Sequence, residues 1–289
     1  MAPVLTKRTM GIVIGIDVGG STTKIVGLDG EKIKNPMFVR ATDPVTSLFG
    51  AFGRYLYDND IPLSSVEKVV LTGVGSAYIS QPLYGLPTAK TDEFLANGLG
   101  AQYLTNLDKL IVVSMGTGTS FVKVDGGKIE HIGGIGIGGG TIQGLSRLLL
   151  KTRDINTIVS LALKGDITNI NLQIKDICNI ALPGLPLEAT ASTFGKAEAN
   201  ASEEDIAAGI IYMVLQCIGQ SVILAALNSD IHDYVLIGNL TKLPQCESIF
   251  HRLEEMYGGR FLKPQYAEYR TAIGAALAYI NKRDYLSIE

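Results

Sequence analysis

One pattern occurs twice in this chain. Near Gly11, β-branched residues run into Asp17-Val18-Gly19-Gly20, return over Thr23–Leu28, turn at Asp29-Gly30 and continue over Lys32–Arg40. Near Leu110, the apolar run Leu110–Ser114 enters Met115-Gly116-Thr117-Gly118-Thr119-Ser120, returns over Phe121–Val124, turns at Asp125-Gly126-Gly127 and continues over Lys128–Ile132. Gly- and Asp-rich turns between short apolar runs mark antiparallel hairpins. Each copy is therefore a three-strand meander and not a strand–loop–helix unit. Repetition of the whole unit points to two related lobes. The division expected is residues 10–107 and 108–289, with the last helix able to pack back on the N-terminal lobe.

Between and after the meanders the pattern changes. Val45–Asn59 reads as a helix with Asp43 or Thr42 as its cap and Pro44 in the first turn. Val66–Thr72 is a strand ending in Gly73-Val74-Gly75, and Glu93–Leu104 is helical. The C-terminal half is helix-rich, over Thr141–Leu150, Ile155–Lys164, Ile170–Ile180, a long helix from Ser202, and Thr271–Lys282. Tyr234–Ile237 is a strand running into Gly238-Asn239.

Composition narrows the function. With 289 residues, 46% of them hydrophobic, the chain can build a substantial core. A net charge of -3 lacks the basic excess of a nucleic-acid binder. Cys178, Cys217 and Cys246 are odd in number and far apart, which excludes a disulfide framework and a cysteine-built metal site. His131, His232 and His251 are equally scattered. Ile206–Leu227 is long and uncharged, but it contains Gln216, Gln220 and Ser221 and has acidic flanks, so it reads as a helix buried in the protein or against a partner subunit. The apolar stretch from Met10 stops at Asp17, too soon for a signal-peptide core. Residues 1–9 read as a leader ahead of a second methionine, and the expected location is cytoplasmic.

Three loops carry the chemistry. Asp17-Val18-Gly19-Gly20-Ser21-Thr22-Thr23-Lys24 offers backbone N–H groups and hydroxyls to a phosphate, with Asp17 placed to hold Mg²⁺ through water and Lys24 to neutralise transferring charge. The second loop, Gly116-Thr117-Gly118-Thr119-Ser120, is another hairpin rich in small donors. Either alone is compatible with an ordinary turn; two at matching positions fit a nucleotide tail held from both sides. The third, Gly133 to Gly140, runs into Thr141-Ile142-Gln143 at a helix start, where unpaired N–H groups favour an anion. Gly134, Gly136 and Gly139 match G-x-G-x-x-G, but helix follows helix, so a dinucleotide-binding βαβ unit is set aside. No G-x-x-x-x-G-K-[ST] occurs. For a general base, Asp92 and Glu93 stand at a helix start; Asp92 reads as the cap, and Glu93 fits both a first-turn acid and a base.

DVGGSTTK (17–24), SMGTGTS (114–120) and GGIGIGGGTIQGL (133–145), in that order, are similar to the type II pantothenate kinases of the acetate-and-sugar-kinase/Hsp70/actin superfamily. The resemblance implies an α/β fold of two ribonuclease-H-like lobes with ATP and Mg²⁺ between them. It further implies a homodimer built partly through the long apolar helix, and phosphorylation of pantothenate. Carried over by position, Asp17, Gly19, Gly20, Ser21, Thr22 and Lys24 form the first phosphate loop. Thr117 and Gly118 form the second, Gly139, Gly140, Thr141, Ile142 and Gln143 hold nucleotide, and Gly238 and Asn239 are the adenosine-side loop. Thr119, Ser120 and His131 fall on the acceptor side, and Glu93 is the base. Two positions depart from the family. Aligned without gaps from Gly98-Leu99-Gly100, its glutamate falls on Thr91, two residues before Glu93. Its carboxylate-binding arginine is replaced by His131, with Lys128 or Arg147 as candidate substitutes. A kinase for another hydroxylated acceptor, and a non-catalytic nucleotide or acyl-CoA sensor, are the alternatives.

Overall fold

The structure, a computed structural model, describes residues 11–30, 32–40, 43–103, 105, 107–178, 180, 184–283 and 286–288. The proposed leader over residues 1–9, and Thr42 as an alternative cap, lie outside them.

The first sheet begins with β1 (Ile12–Val18), β2 (Thr22–Asp29), β3 (Lys32–Ile33) and β4 (Met37–Arg40). The single third strand expected over Lys32–Arg40 is two pieces, both paired with β2. They are separated at Lys34-Asn35-Pro36, where the proline has no backbone N–H to continue the ladder. After α1 (Pro44–Asp58), β5 (Val66–Thr72) runs parallel to β1, and β6 (Thr88–Lys90) runs parallel to β5. Asp43 caps α1, its carboxylate accepting from the Thr46 N–H at 2.6 Å. Helices cover both faces of this sheet, which is why β1 is apolar almost throughout. Ile14, Ile16 and Val18 pack on Leu48, Phe52 and Tyr55 of α1.

The second sheet repeats the arrangement. After α2 (Glu93–Gln102), β7 (Lys109–Met115), β8 (Thr119–Asp125) and β9 (Lys128–Ile135) form the antiparallel meander. The chain then passes through α3 (Gly139–Leu149), α4 (Ile155–Ala162), the two-residue β10 (Leu172–Gln173), the single-turn α5 (Ile174–Ile177), β11 (Thr190–Ser192) and α6 (Glu203–Ala226). β12 (Asp233–Ile237) lies parallel to β7 and, after α7 (Gln245–Tyr257), β13 (Arg260–Leu262) lies parallel to β12. The duplication read from the two meanders is thus a duplication of sheet topology. One face of this sheet, with Ile111, Val113 and Phe121, packs against α3, α6 and α7. The α6 helix is long and apolar enough to cross a membrane, yet most of that stretch is buried in this core. Ser202 caps it, accepting from the Asp205 N–H.

The helix expected over Ile170–Ile180 is absent as a continuous element. Tertiary hydrogen bonds hold the segment instead: the Ile170 backbone O accepts from Lys196 N, the Asn171 side-chain Oδ1 accepts from Phe194 N, and Leu172–Gln173 pairs with Thr190–Ser192.

Helix α8 (Arg270–Ile280) follows β13 but lies on the first sheet, against Val13, Val26 and Val70, and the final strand β14 (Leu286–Ile288) pairs with β6. Conversely, α2 follows β6 but packs toward the second sheet, with Gly98 against Ile129 of β9. Where α2 and α8 cross, a Cβ on Gly274 would overlap the Ala96 carbonyl, and one on Gly100 would overlap the Arg270 carbonyl. Backbone-to-backbone approach of this kind requires glycine. Gly274→Ala is expected to destabilise the protein by at least about 1–3 kcal/mol, measured as a lower Tm; an unchanged Tm would contradict the crossing.

Candidate active site

Strand register assembles the site. Asp17 pairs directly with Lys24 on β2 and with Thr72 on β5, and Lys24 pairs with Phe38 on β4. Directly paired residues share a face, so Phe38, Lys24, Asp17 and Thr72 form one rung across four strands. Asp17 and Lys24 are both buried, and Lys24 Nζ lies 3.3 Å from Asp17 Oδ2. The other carboxylate oxygen lies over Gly73, where a Cβ would stand 2.6 Å from Oδ1. Gly73 has φ 85°, a conformation that glycine alone adopts without strain.

Glu93 opens α2 at the edge of this rung. Asp92 is the helix cap, its carboxylate accepting from the Leu95 N–H at 2.9 Å, which leaves Glu93 for the cleft. Burial pushes the Glu93 carboxyl up to about 7, the Asp17 charge adds to the rise, Lys24 opposes it and Asp92 adds a little. Thr91 precedes the cap and gives its N–H to Leu71 O. A carboxylate poised near neutrality beside a lysine suits proton abstraction from a hydroxyl.

The second hairpin, the glycine-rich helix start and the β12 turn meet in the other lobe. Gly139 N–H donates to Gly116 O and Gly140 N–H to Thr117 O, both at 2.9 Å. These two helix-start donors, expected to be unpaired, are therefore spent on holding the hairpin. Thr141 Oγ1 accepts from the Gly138 N–H at 3.1 Å, and Ile142 is fully buried in the core, so its side chain is not open to a nucleotide. Gln143 is exposed. Gly238, with φ 93°, abuts Met115 as Gly73 abuts Asp17 and Val18, and Asn239 begins the turn that follows. Thr119 is buried and its hydroxyl donates to Ile137 O at 2.8 Å; Ser120 pairs with Ser114. Among the described residues, nothing accepts from the N–H groups of Gly20, Ser21, Thr117 or Gly118. Gly19 N–H is taken by Thr22 O. Each hairpin tip thus keeps two consecutive donors for an anion.

His131 stacks on Phe94, next to Glu93, with ring centroids 4.0 Å apart. Lys128 lies at the far end of β9, paired with Glu130 at 2.8 Å, and Arg147 is exposed on α3. Thr72 and Gly73 are site residues that the sequence reading does not single out. The signal that finds them is the duplication, because Gly73 and Gly238 end corresponding strands.

Two sheets of matching topology with paired phosphate-type hairpins define an actin-like ATPase fold. Solved structures of this fold include the activator of 2-hydroxyisocaproyl-CoA dehydratase from Clostridium difficile with bound ADPNP (TM-score 0.66, 17% identity, 94% of this chain and 95% of that one). Another is a ROK family glucokinase from Streptomyces griseus in complex with glucose and AMPPNP (TM-score 0.62, 13% identity, 92% and 98%). The Fumble family model matches residues 91–275, and the chain belongs to that family. Among its relatives, the type II pantothenate kinase of Staphylococcus haemolyticus is 28% identical over 281 residues, 93% of this chain and 99% of the relative. That of Staphylococcus epidermidis is 30% identical over 219 residues, 74% and 78%.

The raised Glu93 carboxyl has a consequence for stability. Its folded value of about 7 exceeds the ordinary 4.5, so the native state loses stability as pH rises from about 4.5 to about 7. Glu93→Gln removes this loss. The variant is expected to match the parent in Tm below about pH 4.5 and exceed it above about pH 7; equal Tm values above that range would contradict the buried charge.

Proposed function

We propose that this protein transfers the γ-phosphoryl group of ATP to the primary hydroxyl of pantothenate, giving 4'-phosphopantothenate, the first step of coenzyme A biosynthesis. The observation that carries the reading is the grouping of Glu93 with the Asp17–Lys24 pair, in a chain of the Fumble family whose relatives are named type II pantothenate kinases. Glu93 takes the hydroxyl proton as the oxygen attacks phosphorus and the bond to the ADP oxygen breaks. Lys24 and the free N–H groups of Gly20, Ser21, Thr117 and Gly118 receive the charge that develops. Asp17 Oδ1, which lies over Gly73 while Oδ2 faces Lys24, would hold a hydrated magnesium ion, and the metal when bound would neutralise phosphate charge.

On this reading Gly139 and Gly140 support the phosphate tail by bracing the second hairpin, Thr141 and Gln143 stand beside it at the start of α3, and Gly238 and Asn239 lie on the adenosine side. Ser120 and His131 face the acceptor, whose carboxylate would be held less firmly by histidine than by a bidentate arginine. We take the lobes as residues 10–107 and 108–289 with α8 returning to the first; the two separate sheets support this division. A cytoplasmic homodimer completes the proposal, and the exposed Leu224 and Leu227 at the end of α6 support an apolar contact there.

The test is ADP release with pantothenate, pantetheine and sugars side by side, with mass analysis of the product. Turnover is expected with pantothenate, with kcat/KM rising through an apparent pKa of about 7. Glu93→Gln is expected to lower kcat by about 10²–10⁴-fold while ATP still binds. ATP binding without acceptor-dependent turnover would contradict the reading. His131→Arg is expected to lower KM for pantothenate with little change in kcat; an unchanged KM would remove His131 from the acceptor site.

A further inference from the structure

Thr72 presents a side chain that the reaction outlined above does not use. It is fully buried, and its hydroxyl has no hydrogen-bond partner among the described residues. A buried hydroxyl left unpaired lowers stability, so a valine of the same shape would serve the fold better. Register places Thr72 directly beside Asp17, on the side of the carboxylate away from Lys24. The adjoining Gly73 leaves the Oδ1 edge of Asp17 uncovered, while Oδ2 faces Lys24 at 3.3 Å.

The duplicated lobe supplies an internal comparison. There Gly238 abuts Met115 as Gly73 abuts Val18, so Ser114 corresponds to Asp17 and Ser120 to Lys24. The partner of Ser114 on β12, the counterpart of β5, is Ile237. Where the central strand has no carboxylate, the same slot is apolar; where it has one, the slot carries a hydroxyl.

We propose that Thr72 is a positioning residue for Asp17: in the loaded site its hydroxyl donates to the Oδ1 edge of the carboxylate, directly or through one water. That bond sets the orientation in which Asp17 meets the hydrated metal, with Oδ2 remaining toward Lys24. The proposal rests on the kinase reading only for the identity of the load. Thr72 does not touch the reacting atoms; it acts through Asp17, as groups behind a metal ligand do.

Thr72→Val and Thr72→Ser test it. In the unloaded protein, Thr72→Val is expected to raise Tm by a few degrees, because the unpaired hydroxyl is gone. In the same variant, the Mg²⁺ concentration needed for half-maximal ATP-induced thermal stabilisation is expected to rise by about 10–100-fold, whereas Thr72→Ser stays near the parent. A purely structural role would move Tm without moving the Mg²⁺ requirement, and an unchanged requirement in Thr72→Val overturns the proposal. Failure of the parent to phosphorylate pantothenate would overturn the functional reading and leave this binding comparison standing.

Discussion

The site depends on how closely α8 can lie against its neighbours. Gly15 of β1 admits the backbone of α8 at Ala272 and Ala276, and Gly100 and Gly274 admit α2 and α8 to each other. Arg270, fully buried and without a carboxylate partner among the described residues, fastens the crossing by donating to the carbonyls of Gly100, Tyr103 and Gln265. Its guanidinium sits at the C-terminal end of α2, where the helix dipole favours a cation. Helix α2 is thereby held between the sheets with its first residue, Glu93, facing the Asp17–Lys24 pair. The displaced ionisation of Glu93 follows from that placement: a carboxyl brought out of water toward another carboxylate holds its proton longer.

Duplication supplied two similar halves, and the site uses them differently. The first hairpin has the charged pair, Asp17 and Lys24; the corresponding rung of the second has Ser114 and Ser120. The second hairpin is in turn braced by the helix start at Gly139 and Gly140, an arrangement without counterpart beside the first among the described residues. Charge therefore comes mainly from one lobe and rigid neutral donors from the other. On the proposed function this asymmetry puts the reaction centre nearer the first lobe, beside Asp17 and Lys24.

Much of this was legible in the residues. Turns rich in Gly and Asp announced both meanders, and the caps at Asp43, Asp92 and Ser202 follow from short polar side chains at helix starts. The parallel strands β6 and β13, three residues each, and the helix α7 escaped the sequence reading. A three-residue strand has too little sequence for a period-2 pattern, and its existence depends on a partner distant in the chain. Ile170–Ile180 failed in the opposite direction, because its apolar residues suggested a helix while Asn171 and Lys196 fixed hydrogen bonds that end one. At the site, residue types at the three loops were readable, but which N–H groups remained free was not. Gly139 and Gly140 lose theirs to the carbonyls of Gly116 and Thr117, a pairing that only the folded chain defines.

On the proposed function, the free donors of both hairpins grip one triphosphate. Amide hydrogen exchange with and without a non-hydrolysable ATP analogue and Mg²⁺ tests it most directly. The N–H groups of Gly20, Ser21, Thr117 and Gly118 should all slow together on addition of the nucleotide. Slowing confined to one hairpin, or to neither, would contradict the account.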